Sequence, residues 1–265
     1  DQIDDVRAYV DQKALVLVDI DETLISTPVS LGSSVWRNWL KAQLANYNTE
    51  FVLYDALTLY IAKHIHYKAV EPSTAQLIRD WQEEGLAIFA FTARGRSQWY
   101  TTDLDGVDEF THEQLRYAGI DFEKTIIPNE LQNLESTYFY NGIIFAQHIK
   151  KGDLLKHLLK DLNYRPSRIV FIDDKLDQVQ SVEAIAKEAG IPYFGFWYRR
   201  SENDGANFNP LAASIQLEYL LLKDQILTDE EADSIAETSD LDAKQYFDQI
   251  FLEFDISQIK PQLAT

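Results

Sequence analysis

The chain contains neither cysteine nor methionine in 265 residues. Without thiols it can form no disulfide, no thiolate nucleophile and no cysteine-ligated metal site. That composition is compatible with an oxidising compartment without demonstrating one. The lack of even an initiator methionine suggests that a segment before Asp1 is missing, either a removed signal peptide or residues outside an expression boundary. The expectation is a soluble protein, exported or periplasmic if a leader is what was removed. Positive charge is scarce too: 24 Lys and Arg face 43 Asp and Glu, a net charge of −19. Nucleic acids and anionic membranes call for a basic footprint, so neither is expected as a partner. No apolar run approaches the roughly 18 residues of a membrane-spanning helix, so no membrane insertion is expected.

What is present is apolar and aromatic residue in quantity, 46% and 12% of the chain, enough for a large core. The length fits one large domain or a core with insertions. The run Ala14–Ile20 reads as a buried parallel strand. A helix follows from about Glu71 to Glu84, with Pro72 near its start, a Ser73/Gln76 capping box and Gly85 as its stop. Strands are expected at Leu86–Thr92, Arg168–Ile172 and Pro192–Tyr198, with helices at Asp153–Leu162 and Leu176–Ala189 between them. This alternation predicts an α/β fold with a doubly wound parallel sheet.

Two stretches interrupt the rhythm. Residues 28–70 contain helical patterns at Val35–Ala45 and Phe51–His64 and many aromatics, among them Trp36, Trp39, Tyr47, Tyr54 and Tyr60. These either form core or line a substrate pocket. Residues 97–149 carry a short helix near Thr111–Ala118 and a hairpin over Thr137–Gln147 turning at Asn141-Gly142. Both insertions leave from carboxyl ends of strands and are candidate lids. Residues 199–265 read as an acidic helical region packed on the core, with helices at Pro210–Leu222 and Thr228–Glu237 behind a Thr228/Glu231 capping box. The expected organisation is therefore a core of residues 1–27 and 71–198, a helical insertion at 28–70 and the C-terminal region.

Polar groups gather at the strand ends. The first strand closes in Asp19-Ile-Asp21-Glu22-Thr23, the second in Thr92-Ala-Arg94, and the third in Asp173-Asp174, while Lys150-Lys151 opens the helix before it. In a doubly wound sheet these ends converge on one crevice. Carboxylates from two strand ends make an oxygen-rich site suited to Mg²⁺, which would offset their mutual repulsion. One carboxylate can attack phosphorus, a second two residues on can transfer protons, and Thr and Lys can hold the phosphoryl oxygens. Arg94 either reaches a substrate phosphate or carboxylate, or is salt-bridged at the sheet edge. His64 and His66 lack a third nearby ligand, and Arg199-Arg200 reads as a solvated loop.

DIDETL, FAFTAR, Lys151 and VFIDD resemble, in order, the four motifs of the haloacid dehalogenase superfamily of phosphohydrolases. The resemblance covers about 13–27, 71–96 and 150–198. It implies a Rossmann-like core with a small helical cap, the second, hairpin-bearing insertion being less usual. The hairpin segment STYFYNGIIFAQ is similar to a bacterial branch of the superfamily with no settled substrate. The resemblance implies Asp19 as nucleophile and Mg²⁺ ligand, and Asp21 as general acid/base with its carbonyl on Mg²⁺. Thr92 and Lys151 would hold the phosphoryl group, with Arg94 as a further substrate contact. Asp174 would be the main metal ligand, with Asp173 close by; the role of Asp177 stays open, as does the choice of Lys151 over Lys150. The expected activity is a Mg²⁺-dependent phosphomonoesterase acting on a phosphorylated small molecule or a phosphopeptide. A phosphotransferase or phosphomutase, and a binding module on the same scaffold, are the alternatives.

Overall fold

The computed structural model describes residues 2–45, 50–132, 134, 137–200, 207–255 and 259. The chain divides into two units, Asp1–Ser26 with Tyr67–Ser201, and Thr27–His66 with Glu202–Thr265. Along the chain, β1 (Ala14–Val18) and β2 (Ile25–Ser26) precede α1 (Ser34–Leu44) and α2 (Glu50–His64). Next come β3 (Lys68–Ala69), α3 (Thr74–Glu83), β4 (Ala87–Thr92), β5 (Gln98–Trp99), β6 (Thr102–Asp103) and α4 (Val107–Tyr117). Then follow β7 (Phe139–Tyr140), β8 (Ile143–Phe145), α5 (Lys151–Asp161), β9 (Arg168–Asp173), α6 (Leu176–Glu188) and β10 (Tyr193–Trp197). The chain continues with α7 (Pro210–Lys223), α8 (Asp229–Ala236) and α9 (Ala243–Glu253).

The first unit is mixed α/β with a mostly parallel central sheet in the order β10-β9-β1-β4-β8-β7. Strand β1 lies between β9 and β4, with Leu15 beside Ile169 on one side and Ala87 on the other. Every residue of β1 and β4 is buried, so these runs are continuously apolar instead of alternating. Helix α5 presents Leu154, Leu155, Leu158 and Leu159 as one stripe to a core shared with Leu17, Phe89, Phe91 and Phe171. From β1 the chain moves to β4 and β8, then returns to place β9 on the opposite side of β1. The strand order therefore reverses between β1 and β9, and open α/β sheets place their sites outside the carboxyl ends at such a point.

The expected hairpin forms as β7 and β8, antiparallel across Asn141 (φ +46°) and Gly142 (φ +78°). A Cβ on Gly142 would lie 2.2 Å from the Phe122 carbonyl oxygen, so only glycine fits this turn. The hairpin is not a lid. Strand β8 pairs parallel with β4, Ala90 beside Ile143 and Thr92 beside Phe145, and Ile143, Ile144 and Phe145 are all buried. Three consecutive large apolar residues need cover on both faces, and the sheet supplies it. The Ser73/Gln76 capping box also does not form. Ser73 already has helical dihedrals (φ −75°, ψ −19°), and Gln76 instead bonds Asp80 and Arg79 on its own helix.

The second unit joins the helical insertion expected at 28–70 with the C-terminal region expected at 199–265. Helices α1 and α2 share one apolar core with the C-terminal helices α7 and α9, through Trp36, Leu40, Leu57, Leu217 and Phe247. In α1, Trp36, Leu40 and Leu44 recur every fourth residue and are the buried stripe. Trp36 is wholly buried, and Trp39, Tyr54 and Tyr60 pack against the same cluster, so these aromatics are core; Tyr47 lies outside the described residues. Buried Gln216 ties this unit together: its carbonyl oxygen accepts from Leu31 N–H at 3.0 Å, and its amide donates to Leu227 O and Asp229 Oδ1. The Thr228/Glu231 capping box forms as expected.

Candidate active site

Lys151, the first residue of α5, is 1% exposed, and its ammonium sits at the carboxyl ends of the central strands. It donates to Asp19, the residue after β1, and to Asp173 Oδ2 at 2.5 Å, the last residue of β9. The rings of Phe91 and Phe171 lie 5.6 and 5.4 Å from the same nitrogen. A buried ammonium is tolerated only with such compensation. The start of α5 is fixed by α6, where Gln178 accepts from Lys151 N–H at 3.0 Å and the Ser181 hydroxyl accepts from Gly152 N–H at 3.2 Å. A Cβ on Gly152 would fall 2.3 Å from the Ser181 carbonyl oxygen. Lys150 is exposed, so it is Lys151 that belongs to the cluster.

After Asp19 the chain turns sharply, with the amides of Leu24 and Ile25 both donating to the Ile20 carbonyl and Glu22 at φ +62°. The turn carries Asp21, which Arg94 meets side-on: Nε donates to Oδ2 at 2.9 Å and Nη2 to Oδ1 at 2.8 Å. Nη1 of Arg94 donates to Thr111 Oγ1 and Gln114 Oε1 of α4. Of the two sequence readings of Arg94, the structure places the salt bridge, and its partner is Asp21. Burial works against the Arg94 charge, but Asp21 outweighs it and holds the guanidinium above its ordinary pKa. Thr92, 1% exposed at the end of β4, accepts from Arg94 N–H at 3.2 Å.

Asp174 follows β9, and Lys175 Nζ donates to its Oδ2 at 2.6 Å. Burial, reinforced by the charge of Asp19, pushes Asp174 up to about 7, against the pull of Lys175. Burial also raises Asp19; Lys151 opposes the shift, and Asp173 and Asp21 add to it. Asp19, Asp173 and Asp174 each offer an oxygen within 4.8 Å of the others. Such an all-carboxylate set is hard and anionic, which fits Mg²⁺ rather than a thiophilic metal. Asp177, in the first turn of α6, is exposed and outside this group.

A second set, His112, Asp121 and Glu123, has comparable spacing and no sequence signal, since its members come together only where the chain leaves α4. His64 Nδ1 lies 2.7 Å from Tyr60 O and its ring stacks on Tyr60; neither His64 nor His66 joins a metal-ligand group among the described residues. Arg199 lies over Trp197, and Arg200 pairs with buried Glu71. Sequence reasoning missed Gln114, Thr111 and Lys175. The first two sit on α4, remote in sequence from every motif.

The chain belongs to the family described as "Protein of unknown function (DUF2608)", whose profile matches residues 1–233. It is similar to a Chlamydia trachomatis protein named "Putative outer membrane protein", 26% identical over 216 residues, 80% of this chain and 78% of that one. A Chlamydia muridarum protein of the same name is 24% identical over 82% of this chain and 80% of its own length. A Rickettsia bellii "Uncharacterized protein" is 22% identical over 77% and 75%. No solved structure matches the chain. No helix among the described residues is long and apolar enough to cross a membrane.

Proposed function

We propose that the chain is a Mg²⁺-dependent phosphomonoester hydrolase of the haloacid dehalogenase type, acting through an aspartyl-phosphate on Asp19. The observation that carries this reading is the buried Lys151 ammonium joining Asp19 to Asp173 where the strand order reverses. A structural lysine has little reason to be buried between two carboxylates, whereas a phosphoryl group transferring to Asp19 needs a fixed cation beside it. On this reading the sheet is the Rossmann-like core of the superfamily and residues 27–66 are its helical insertion.

A carboxylate oxygen of Asp19 attacks phosphorus, the P–O bond to the leaving group breaks, and Asp21 gives that oxygen a proton. Asp21 then takes a proton from water, the water oxygen attacks phosphorus, and the Asp19–phosphorus bond breaks to release phosphate and restore both residues. Lys151 and Thr92 hold the phosphoryl oxygens. Arg94 moves from substrate contact to the support of Asp21, because its donors already serve Asp21, Thr111 and Gln114. Asp19, Asp174 and the Asp21 carbonyl would hold Mg²⁺, with Asp173 beside them; the ion supplies positive charge that keeps Asp19 ionised and offsets the phosphoryl charge. The substrate is a phosphorylated small molecule or a phosphopeptide. An exported or periplasmic location agrees with the name "Putative outer membrane protein" that the chlamydial relatives carry.

The test is p-nitrophenyl phosphate hydrolysis by wild type and Asp19→Asn, each with Mg²⁺ and with EDTA. Turnover that needs Mg²⁺ and is lost in the variant is expected. Turnover unaffected by Asp19→Asn would sink the reading, and folded protein inactive on phosphometabolites and phosphopeptides alike would favour a binding module.

A further inference from the structure

Lys175 follows the Asp173-Asp174 pair directly and is the N-cap of α6. Its backbone N–H donates to Asp173 Oδ1 at 2.8 Å, which fixes the entry to the helix. Its side chain is 56% exposed, yet the ammonium turns back to Asp174 Oδ2 at 2.6 Å. Glu22 and Asp19 add to the negative field at the same nitrogen. Two lysines therefore serve one carboxylate cluster in different ways. Lys151 is 1% exposed, with the rings of Phe91 and Phe171 beside its ammonium. Lys175 is held at its tip by one carboxylate, and its stem reaches solvent.

We propose that Lys175 is a tethered cation that competes with the divalent ion for Asp174 and so sets the metal affinity of the site. The inference rests on the metal-dependent reading above and adds a residue that no motif assigns. A metal ion and an ammonium on one carboxylate repel each other strongly at contact distance. Lys175 occupies Oδ2, so an ion that takes this oxygen displaces the ammonium, and the energy of the displaced pair is subtracted from metal binding. Because the stem is half-exposed, this displacement leaves the packed core undisturbed. For a partly exposed pair the expected penalty is about five-fold in affinity.

The experiment is calorimetric titration of the full chain with Mg²⁺ at pH 8, without substrate, for wild type, Lys175→Gln, Lys175→Arg and a control, Lys156→Gln. Lys156 pairs with Glu188 on the exposed faces of α5 and α6. Lys175→Gln is expected to bind Mg²⁺ about five-fold more tightly, with Lys175→Arg and Lys156→Gln close to wild type. Wild type that binds Mg²⁺ with Lys175→Gln no tighter, or weaker, overturns the role of Lys175 and leaves the metal reading standing. Absence of both binding heat and a Mg²⁺-induced Tm rise in wild type and Lys175→Gln overturns the metal reading and this inference together.

Discussion

Arg94 and Asp21 come from the ends of neighbouring strands and meet through two parallel hydrogen bonds of 2.9 and 2.8 Å, with the Arg94 side chain 12% exposed. The fork is anchored from behind by Gln114, whose carbonyl oxygen accepts from Nη1 at 2.7 Å. Lysine cannot reproduce this bidentate geometry. Arg94→Lys should therefore lower kcat on p-nitrophenyl phosphate by roughly 10- to 100-fold, with KM changed far less, because Arg94 orients Asp21. Steady-state kinetics decides this, and a KM rise with kcat unchanged would return Arg94 to substrate binding.

Removing Lys151 leaves Asp19 and Asp173 facing each other without compensation. Lys151→Met should cost roughly 3–5 kcal/mol at pH 8, the usual consequence of breaking a buried ion pair from one side. The cost should shrink at pH 5, where Asp19, pushed up to about 7 by burial, takes up a proton. Urea unfolding of wild type and variant at the two pH values measures both.

Asp174 has a folded pKa of about 7 against an ordinary 3.8. Raised values mean that the folded state binds the proton more tightly. Its favourable contribution is full below about pH 4 and is lost as pH rises to about 7. Asp174→Asn in EDTA should thus gain on wild type above pH 7, by roughly 1–2 kcal/mol after allowance for the lost Lys175 pair, and show little gain near pH 4. Parallel Tm curves across this range would contradict the expectation.

Gly152→Ala should displace the start of α5, since its Cβ would lie 2.3 Å from the Ser181 carbonyl oxygen. Overpacking of this kind costs roughly 1–3 kcal/mol. Because Lys151 is the preceding residue, activity should fall further than stability alone explains; kinetics well below the Tm separates the two.

Gln216→Leu in the second unit removes the acceptor of Leu31 N–H and the donor to Leu227 O in a buried position. A loss of roughly 2–3 kcal/mol is expected, read by chemical unfolding, with the chemistry at Asp19 unaffected in the protein that remains folded.

The strands, the helices and the polar residues at the strand ends were legible in order because each follows from local pattern. LVLV and AIFAF are too uniformly apolar for an exposed strand, and Asn141-Gly142 specifies a tight turn wherever it lies. Less local features escaped. Nothing in STYFYNGIIFAQ says that its second strand continues the sheet beyond β4, since pairing partners 50 residues apart are chosen by the fold. The C-terminal region reads as an appendage because it is markedly acidic, yet Leu217 and Phe247 meet Trp36 in one core.

The amino-acid sequence by itself determined an α/β chain whose strand ends carry Asp19, Asp21, Thr92, Lys151, Asp173 and Asp174, because hydrophobic period and residue chemistry are local properties. Tertiary structure alone decided that Lys151 rather than Lys150 is buried against two carboxylates, that Arg94 holds Asp21, and that Lys175 covers Asp174. Those outcomes depend on which side chains the packed strands and helices bring within hydrogen-bonding distance, and distance in space is not written in the spacing of residues along a chain.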